Sequence, residues 1–428
     1  MSGLEQHRKM KPSSYAIIEP EEATLLIMSN VRVLEAEETK LEEGLGRILA
    51  EDIYSTLDMP PFDATAVDGY ALQSSDDLRQ RRIIGEQTAG RITHQRVEPG
   101  TAIRIMTGAP MPEGADAVVM VEYTREKDGL LEVDSAPNPG NNIRPRSEDL
   151  QSGQLILKAG TLLGPAELGL LATTGLALIK LIRRPRLAVI STGDEIVEPG
   201  KLLAPGQIYD SNRFGLMAAV AQAYAEPFSL GIAPDTEAGL RNLIEVALRN
   251  YDGLITSGGV SVGKLDLMKD LLEELGTIHF GRVNLRPGKP LTFVTVAVEE
   301  QTKPIFALPG FPVASLVSFE LFARPAILKM GGHIHVQRPR VQARLAHSLT
   351  HSRERNEFVR AVVTQEFEPS SGGSYYYTAR TTGSQSSGRL LSMLGANALL
   401  HLAPGEKILE EGEVVPAILL TDVPIMKM

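Results

Sequence analysis

Residues 252–275, DGLITSGGVSVGKLDLMKDLLEEL, constrain the fold of this chain most strongly. Leu254–Thr256 is typical of the end of a buried strand, and a Gly258-Gly259 turn follows it. From Leu265 the apolar residues recur at helical spacing. A glycine turn between a strand and a helix directs backbone N–H groups and the positive helix end towards an anion. The segment therefore predicts an anion-binding turn inside an α/β domain.

The same turn nearly matches a phosphate-binding P-loop, because Gly258–Lys264 has the spacing G-x-x-x-x-G-K. A P-loop continues with a serine or threonine that binds magnesium, whereas this chain has Leu265. We therefore favour a phosphate-binding turn of another kind, with a P-loop nucleotide hydrolase as the weaker alternative. The sequence also lacks a G-x-G-x-x-G fingerprint, so a nicotinamide or flavin cofactor is not expected.

Composition excludes several classes of protein. The chain of 428 residues has no cysteine, which rules out disulfides, zinc thiolate sites and a cysteine nucleophile. A net charge of −10 argues against a general nucleic-acid surface. We expect no membrane span and no signal peptide, because no apolar run is long enough and the first 14 residues have no apolar core. These properties favour a cytoplasmic protein.

The character of the chain changes along its length and predicts an α/β multidomain protein. Between 185 and 332 strands alternate with helices, which is typical of a doubly wound, mostly parallel sheet. A helix is also expected near 41–51. The predicted domains are an N-terminal helical and linker domain (1–52 and 150–184), an inserted small β domain (53–149), the α/β domain (185–332) and a C-terminal β domain (333–428).

Polar and glycine residues follow the strands of the predicted sheet. In a doubly wound sheet the ligand lies beyond the carboxyl ends of the strands. Four strand ends carry such residues, and their convergence is stronger evidence than any one of them: Thr192–Glu195, Asp235, Ser257–Gly259 and Pro309-Gly310.

Two cations are expected at the same end of the sheet. Arg286 and Lys289 alternate with Pro287, Gly288 and Pro290, which restrict their positions. A fixed pair of cations near a glycine turn suits an oxyanion or a phosphate. The alternative is that both are solvated loop charges.

Other polar loops have an ordinary interpretation when taken alone. Asp63 and Asp68 lie in a proline-rich loop that is more typical of a tight turn than of a site. The charges of 141–150 indicate exposed ion pairs. The serine-rich segment around Ser387 indicates a flexible surface loop.

The chain contains seven separated motifs: PPFDATAVDGYA, RIMTGAPMPEGADAVV, NIRPRSEDL, STGDEI, TSGGVSVGKLD, RPGKPLTF and LPGFPVA. Over about residues 15–420 it resembles the molybdopterin molybdenumtransferase family, to which the E domain of gephyrin belongs. The resemblance implies insertion of molybdate into adenylylated molybdopterin with release of AMP. It also implies an elongated homodimer, magnesium as the usual divalent cation, and a cleft between the α/β domain and the β domains. The adenylyltransferase that supplies the pterin is a candidate partner.

The resemblance assigns roles to individual residues. The catalytic candidates are Asp63, Thr107, Asp149, Glu195, Asp235 and Asp266. The substrate- or oxyanion-binding candidates are Ser257, Gly258, Gly259, Ser261, Arg286, Lys289, Pro309, Gly310 and Ser387. The metal candidates are Asp194, Glu195 and Asp235, because a bridging magnesium would offset the repulsion between these acids and an anionic substrate. Either Arg355 or Arg360 matches a further anion-binding arginine.

The chain departs from the family pattern at the presumed anion pocket. Phe311 replaces an asparagine, Ala314 stands where a serine is common, and Arg286 stands where a lysine is usual. These changes indicate a diverged branch. Two alternatives to the molybdate enzyme therefore stay open: a tungstate-preferring variant, and a non-catalytic scaffold paralogue of the same fold.

Overall fold

The computed structural model describes residues 15–234, 236–258, 265–368, 373–405 and 408–423. The chain divides into two compact units by its internal contacts. The smaller unit consists of Thr39–Leu45 and Leu49–Ile179, and the larger unit consists of the chain up to Glu38, Gly46–Ile48 and the chain from Lys180 onward. The smaller unit is thus an insertion in the sequence of the larger one. The predicted four-domain boundaries stay a prediction.

The elements before Arg186 are mostly short strands. Helices α1 (Pro20–Asn30) and α2 (Pro165–Thr173) begin with a proline, whose fixed φ suits the first helical position. The strands are β1 (Ala36–Lys40), β2 (Ile53–Tyr54), β3 (Ala64–Thr65), β4 (Gly69–Leu72), β5 (Gln80–Gln87), β6 (Thr101–Ile105), β7 (Ala117–Met120), β8 (Thr124–Lys127), β9 (Leu130–Val133), β10 (Ile143–Arg144), β11 (Leu155–Leu157) and β12 (Leu178–Ile182).

The prediction of a helix near residues 41–51 was wrong. Leu41–Glu43 forms a single 3-10 turn, and the chain then leaves the helical path. Gly46 has a φ of +72°, which lies in the left-handed region that glycine adopts easily and that a right-handed helix excludes.

The smaller unit is built on a six-stranded sheet with the order β7-β4-β6-β5-β9-β8. Strands β5 and β6 pair in parallel, and the other neighbours are antiparallel. Side chains of β4 alternate between two apolar clusters, with Tyr70 and Leu72 in one and Ala71 in the other. Both faces of this sheet are therefore covered, as expected for a small β domain.

The larger unit contains the remaining elements. Its helices after Arg186 are α3 (Asn212–Gln222), α4 (Glu237–Asn250), α5 (Leu265–Leu275), α6 (Pro312–Ser318) and α7 (Arg324–Met330), with the π-helical turn Phe319–Ala323 joining the last two. Its strands are β13 (Arg186–Thr192), β14 (Ile196–Val197), β15 (Ile208–Tyr209), β16 (Glu226–Ala233), β17 (Gly253–Ser257), β18 (Thr277–Phe280), β19 (Leu285–Arg286), β20 (Thr292–Val298), β21 (Gln301–Leu308), β22 (Arg340–Leu345), β23 (Leu349–Thr350), β24 (Asn356–Glu368), β25 (Ser374–Thr381), β26 (Ala398–Leu402), β27 (Ile408–Leu409) and β28 (Val414–Leu419). Within the described ranges, none of the helices combines the length and apolar character that crossing a bilayer requires.

A six-stranded sheet with helices on both faces forms the first half of the larger unit. Its order is β16-β13-β17-β21-β20-β18, with β16, β13, β17 and β21 parallel and the last two strands antiparallel. Along β13, Val189 packs in the core that includes α3 and α6, and Ile190 packs in the core that includes α4 and α5. Burial on both faces explains the continuous apolar strands. The predicted doubly wound, mostly parallel domain is confirmed.

The C-terminal part of the larger unit is a ring of strands. Strand β24 pairs with both β25 and β26, and the ring closes through β22 and β28. Small and aliphatic side chains, including Ala361, Leu400 and Ala417, fill its interior. Strand β19 adds to the start of β24 in parallel, with Arg286 opposite Glu357. The predicted C-terminal β domain is confirmed.

Candidate active site

The carboxyl ends of three parallel strands meet at one edge of the α/β sheet. Asn212, at the start of α3, connects two of them, because its side-chain amide donates to Ser257 Oγ at 2.6 Å and to Gly310 O at 2.7 Å. The backbone N–H of Gly258 donates to Leu308 O at 3.3 Å. The structure therefore brings Ser257 and Gly258 at the end of β17 together with Pro309 and Gly310 at the end of β21, as the sequence predicted. Asn212 was missed by the sequence analysis.

Gly258 has no room for a side chain at this edge. It has a φ of +91°, and a Cβ atom on it would lie 2.4 Å from Thr192 O. We expect Gly258→Ala to lower the free energy of unfolding by at least about 1 kcal/mol, the cost of a left-handed alanine alone. The matched control is Gly310→Ala, whose Cβ would meet only Gly258 Cα at 3.4 Å, an ordinary contact. Equal urea midpoints for the two variants would contradict this assignment.

An exposed acidic turn follows β13. Asp194 and Glu195 are both exposed, and the Glu195 carboxylate folds back so that a Cβ on Gly193 would lie 2.7 Å from its Oε2. The backbone of the turn is fixed, because Ile208 N donates to Glu195 O at 2.8 Å. In the part of the chain that the structure describes, no group of three metal-ligating side chains is found. The magnesium site therefore stays a prediction.

A buried ionic network holds the segment that follows this turn. Asp210 accepts hydrogen bonds from Ser191 Oγ and from Arg213 Nε, both at 2.8 Å. Arg213 in turn donates to Glu198 Oε2 at 2.6 Å and also contacts Ser229. Asp210 and Arg213 are 2% and 5% exposed, so their charges compensate each other out of water. The network ties 196–213 to β13 and α3, and no local feature of the sequence predicts it.

The two predicted cations, Arg286 and Lys289, have different surroundings. Arg286 Nη1 donates to Glu357 Oε1 at 2.7 Å, although the arginine side chain is still 59% exposed. Lys289 is half-buried, and no carboxylate forms a salt bridge with it among the described residues. Burial, and after it the charges of Arg355 and Arg282, hold the pKa of Lys289 below its usual range. The charge of Glu354 acts in the opposite direction and raises this pKa, but it is the smallest of the four influences.

The loop that carries Ser387 lies against the same edge. Val313 N, in the first turn of α6, donates to Ser387 O at 3.1 Å. Arg360 is 1% exposed, and its guanidinium donates to Ser386 O and Ser392 Oγ at 3.2 Å. Burial, and after it the charge of Arg286, lower the pKa of Arg360 to about 10.

Arg360 is hydrogen-bonded to the loop that carries Ser387, and the choice between Arg355 and Arg360 as the additional anion-binding arginine stays a prediction. Among the described residues, no carboxylate compensates the charge of Arg360. A buried guanidinium that hydrogen-bonds only neutral oxygens is costly without an anion. Arg355, the other alternative, contributes charge beside Lys289.

The smaller unit carries Asp63, Thr107 and Asp149 on loops that are hydrogen-bonded to one another. Asp63 Oδ1 accepts from Arg146 N at 2.7 Å, and Asp149 Oδ2 accepts from Arg144 Nη2 at 2.7 Å. The loops also share backbone bonds, such as Met111 N to Asp63 O at 2.7 Å. The exposed ion pairs predicted for 141–150 are present here, with side chains of Arg144 and Asp149 45% and 62% exposed.

Thr107 is oriented by Asp68, a residue that the sequence analysis interpreted as part of a tight turn. Asp68 Oδ1 accepts from both the backbone N and the Oγ1 of Thr107, each at 2.7 Å. These two hydrogen bonds hold the pKa of Asp68 below its usual range. The Thr107 hydroxyl thus has a defined direction for its proton, which leaves its oxygen as an acceptor.

Several predicted site residues lie outside the described residues. These are Asp235, Gly259 and Ser261, together with Lys264 of the rejected P-loop. Asp266 belongs to the first turn of α5. The expectation that residues of the smaller unit and of the α/β domain form one cleft stays a prediction.

Family models match three successive parts of the chain. The MoeA N-terminal region (domain I and II) matches residues 18–175, a probable molybdopterin binding domain matches 188–329, and the MoeA C-terminal region (domain IV) matches 342–420. Fold, motif order and these matches define a multidomain protein whose α/β domain is of the molybdopterin-binding type.

Similar proteins extend this match over nearly the whole chain. A molybdopterin molybdenumtransferase from Nostoc is 39% identical over 86% of this chain and 85% of its own length. A gephyrin from Dictyostelium discoideum is 35% identical over 95% of this chain, which spans 63% of the length of that relative. The crystal structure of a molybdopterin biosynthesis MoeA protein from Pyrococcus horikoshii superposes with a TM-score of 0.78 at 32% identity, covering 95% of this chain and all of that one. The chain belongs to the molybdopterin molybdenumtransferase family.

Proposed function

We propose that this protein is a molybdopterin molybdenumtransferase, which inserts molybdate into adenylylated molybdopterin and releases AMP. The observation that carries the proposal is the position of Arg360. Its buried guanidinium donates a hydrogen bond to Ser386 O in the loop that carries Ser387. That loop accepts a hydrogen bond from Val313 N of α6, at the carboxyl edge of the α/β sheet. An enzyme that brings an oxyanion to a phosphorylated pterin needs an anion site at this edge.

The chain offers donors of different kinds to the oxyanion. Arg360 and Lys289 supply positive charge, and Ser387 supplies a hydroxyl. Arg286 is held by Glu357 through one nitrogen, so its remaining exposed donors are available to a ligand. Because molybdate is a dianion, two cations neutralise it, and neutral donors complete its hydrogen bonds.

The acidic residues are proposed to act on the adenylyl phosphate. Asp194 and Glu195, with Asp235, would hold magnesium, which needs only one or two carboxylates because it keeps several waters. Bound there, the ion would polarise a phosphoryl oxygen. Asp63, Asp149 and Asp266 are proposed to position the substrate and the attacking water. The hydroxyl of Thr107, whose proton is directed to Asp68, would accept a hydrogen bond from the substrate.

The assembly around this activity is part of the same proposal. We infer a homodimer, magnesium as the cofactor, and delivery of adenylylated pterin by an adenylyltransferase. We also propose a cytoplasmic location, with which the cysteine-free composition is consistent. Size-exclusion chromatography with light scattering tests the dimer, and a monomer at micromolar concentration would contradict it.

A reconstitution experiment tests the activity. The purified protein is mixed with adenylylated molybdopterin, molybdate and magnesium, and both released AMP and activation of an apo-molybdoenzyme are measured. The proposal expects molybdate-dependent formation of both products. A folded protein that binds the pterin but releases no AMP would support the scaffold alternative. Competition between molybdate and tungstate in the same assay distinguishes the tungstate-preferring variant.

The lowered pKa of Lys289 predicts how oxyanion binding depends on pH. Because its pKa is lowered, it loses its charge at a lower pH than an ordinary lysine. We expect molybdate binding to weaken as the pH rises through this lowered pKa, and Lys289→Arg to keep its affinity to higher pH. Lys289→Met is expected to weaken binding about tenfold at pH 7, as for one charge-assisted hydrogen bond.

Isothermal titration calorimetry with molybdate between pH 7 and 10 measures this effect. The control is Lys158→Met, which removes an exposed lysine of the smaller unit and is expected to leave the affinity unchanged. Parallel pH dependence of the wild type and Lys289→Arg would exclude Lys289 as the titrating group.

A further inference from the structure

Phe311 is an exposed aromatic residue on a fixed backbone at the carboxyl edge of the α/β sheet. Phe311 is 63% exposed, whereas Phe306 of the adjoining strand is fully buried. Its backbone is held on both sides, because Gly310 O accepts from the Asn212 amide at 2.7 Å and Ser315 N donates to Phe311 O at 2.9 Å. The ring is therefore presented to solvent from a rigid position.

One edge of the ring contacts the loop of the oxyanion site. A Cβ on Gly388 would lie 3.5 Å from Phe311 Cδ1 and 3.7 Å from Cε1, so the loop backbone passes directly beside the ring. The neighbouring Ser387 is tied to Val313, two residues after Phe311, by a 3.1 Å backbone hydrogen bond. Because Arg360 bonds Ser386 of the same loop, the ring and the buried guanidinium flank one short segment.

An exposed aromatic face beside an anion site suits a ligand that combines a flat ring with a phosphate. An exposed aromatic face is apolar surface in contact with water. A ligand ring that stacks on this face removes it from water, which favours binding. Fused nitrogen heterocycles stack on aromatic side chains, because each of them offers a flat π-face to the ring. A ligand without a flat ring could not stack on this face.

We propose that the Phe311 ring is the stacking surface for a fused nitrogen heterocycle of the substrate. This inference rests on the proposed function, since adenylylated molybdopterin contains two such rings, the pterin and the adenine. Phe311 is then a specificity-determining residue: it recognises the flat ring, while Arg360 and Lys289 recognise the oxyanion. The shared chemistry is a planar heterocycle linked to a phosphate, and the experiment distinguishes its two sources.

The competing explanation is that Phe311 only wedges the 386–389 loop in place. Two variants separate the roles. Phe311→Leu keeps an apolar side chain against Gly388 but removes the aromatic face. Phe311→Tyr keeps the aromatic face at this exposed position.

The test measures dissociation constants by calorimetry for adenylylated molybdopterin, AMP, molybdopterin and molybdate. Phe311→Leu is expected to weaken adenylylated molybdopterin about tenfold and Phe311→Tyr less than about twofold. Molybdate affinity is expected to stay unchanged in both variants. AMP carries only the adenine and molybdopterin only the pterin, so whichever of the two shows the same loss identifies the stacked heterocycle. The control is Tyr375→Leu, which removes an aromatic of similar exposure, 58%, from β25.

Three outcomes would overturn the inference. Phe311→Leu could bind adenylylated molybdopterin as the wild type does, both variants could be weakened equally, or molybdate could be weakened together with the heterocycle. The last result would assign Phe311 to the loop. Failure of the proposed function is a separate result, because a wild type that binds adenylylated molybdopterin without inserting molybdate overturns the activity and leaves the stacking test intact.

Discussion

An Arg360→Met variant is expected to bind molybdate about 100-fold more weakly than the wild type, as for the loss of two charge-assisted hydrogen bonds. Its free energy of unfolding is expected to stay equal or to rise. The reason is that Arg360 is buried and bonded to neutral oxygens of Ser386 and Ser392. Removing an uncompensated buried charge relieves its desolvation cost, and methionine fills a similar volume.

The two opposite signs make this variant informative. Calorimetry with molybdate and urea unfolding followed by circular dichroism measure them on the same sample. The matched control is Arg380→Met, an exposed arginine on β25, for which neither quantity is expected to change. A large loss of stability with unchanged molybdate affinity would show instead that Arg360 only stabilises the 386–389 loop.

Asp210→Ala is expected to lower the free energy of unfolding by about 3 kcal/mol or more, the usual cost of removing one partner of a buried ion pair. Asp210 is 2% exposed and accepts from Ser191 and Arg213. Its loss leaves the Arg213 guanidinium, itself 5% exposed, with Glu198 as its carboxylate partner. We expect the acidic turn of Asp194 and Glu195 to lose its support, so AMP release should fall as well.

The urea midpoint of the α/β domain measures this effect. Glu245→Ala is the control, because it breaks an exposed pair with Arg249 on α4, whose side chains are 40% and 74% exposed. Pairs of this kind contribute about 0.3–0.5 kcal/mol. Similar midpoints for the two variants would mean that the Asp210 network is not a stability element.

The sequence predicted the α/β domain well because its signals are local. Strand β13 is a continuous apolar run, and α5 shows its apolar spacing over eleven residues, so each element is determined by its own segment. The prediction of a helix near 41–51 failed because Gly46 adopts a left-handed backbone conformation that a right-handed helix excludes.

The site was predicted less completely, because its charges are set by partners distant in sequence. Arg286 and Glu357 are 71 residues apart, so the sequence could not show that this cation is already paired. The burial of Arg360 and its hydrogen bond to Ser386, 26 residues away, likewise have no local signal in the sequence. Asp68 looked like part of a turn because its bond to Thr107 spans 39 residues.

The ring of strands in the C-terminal domain has a consequence for how this protein fails. Strand β28, near the end of the chain, fills the gap between β22 and β26. A truncation before Val414 would expose unpaired N–H and C=O groups along both neighbours, and such edges are templates for strands of other molecules. Loss of β28 is therefore expected to cause aggregation of the protein rather than local fraying of the domain.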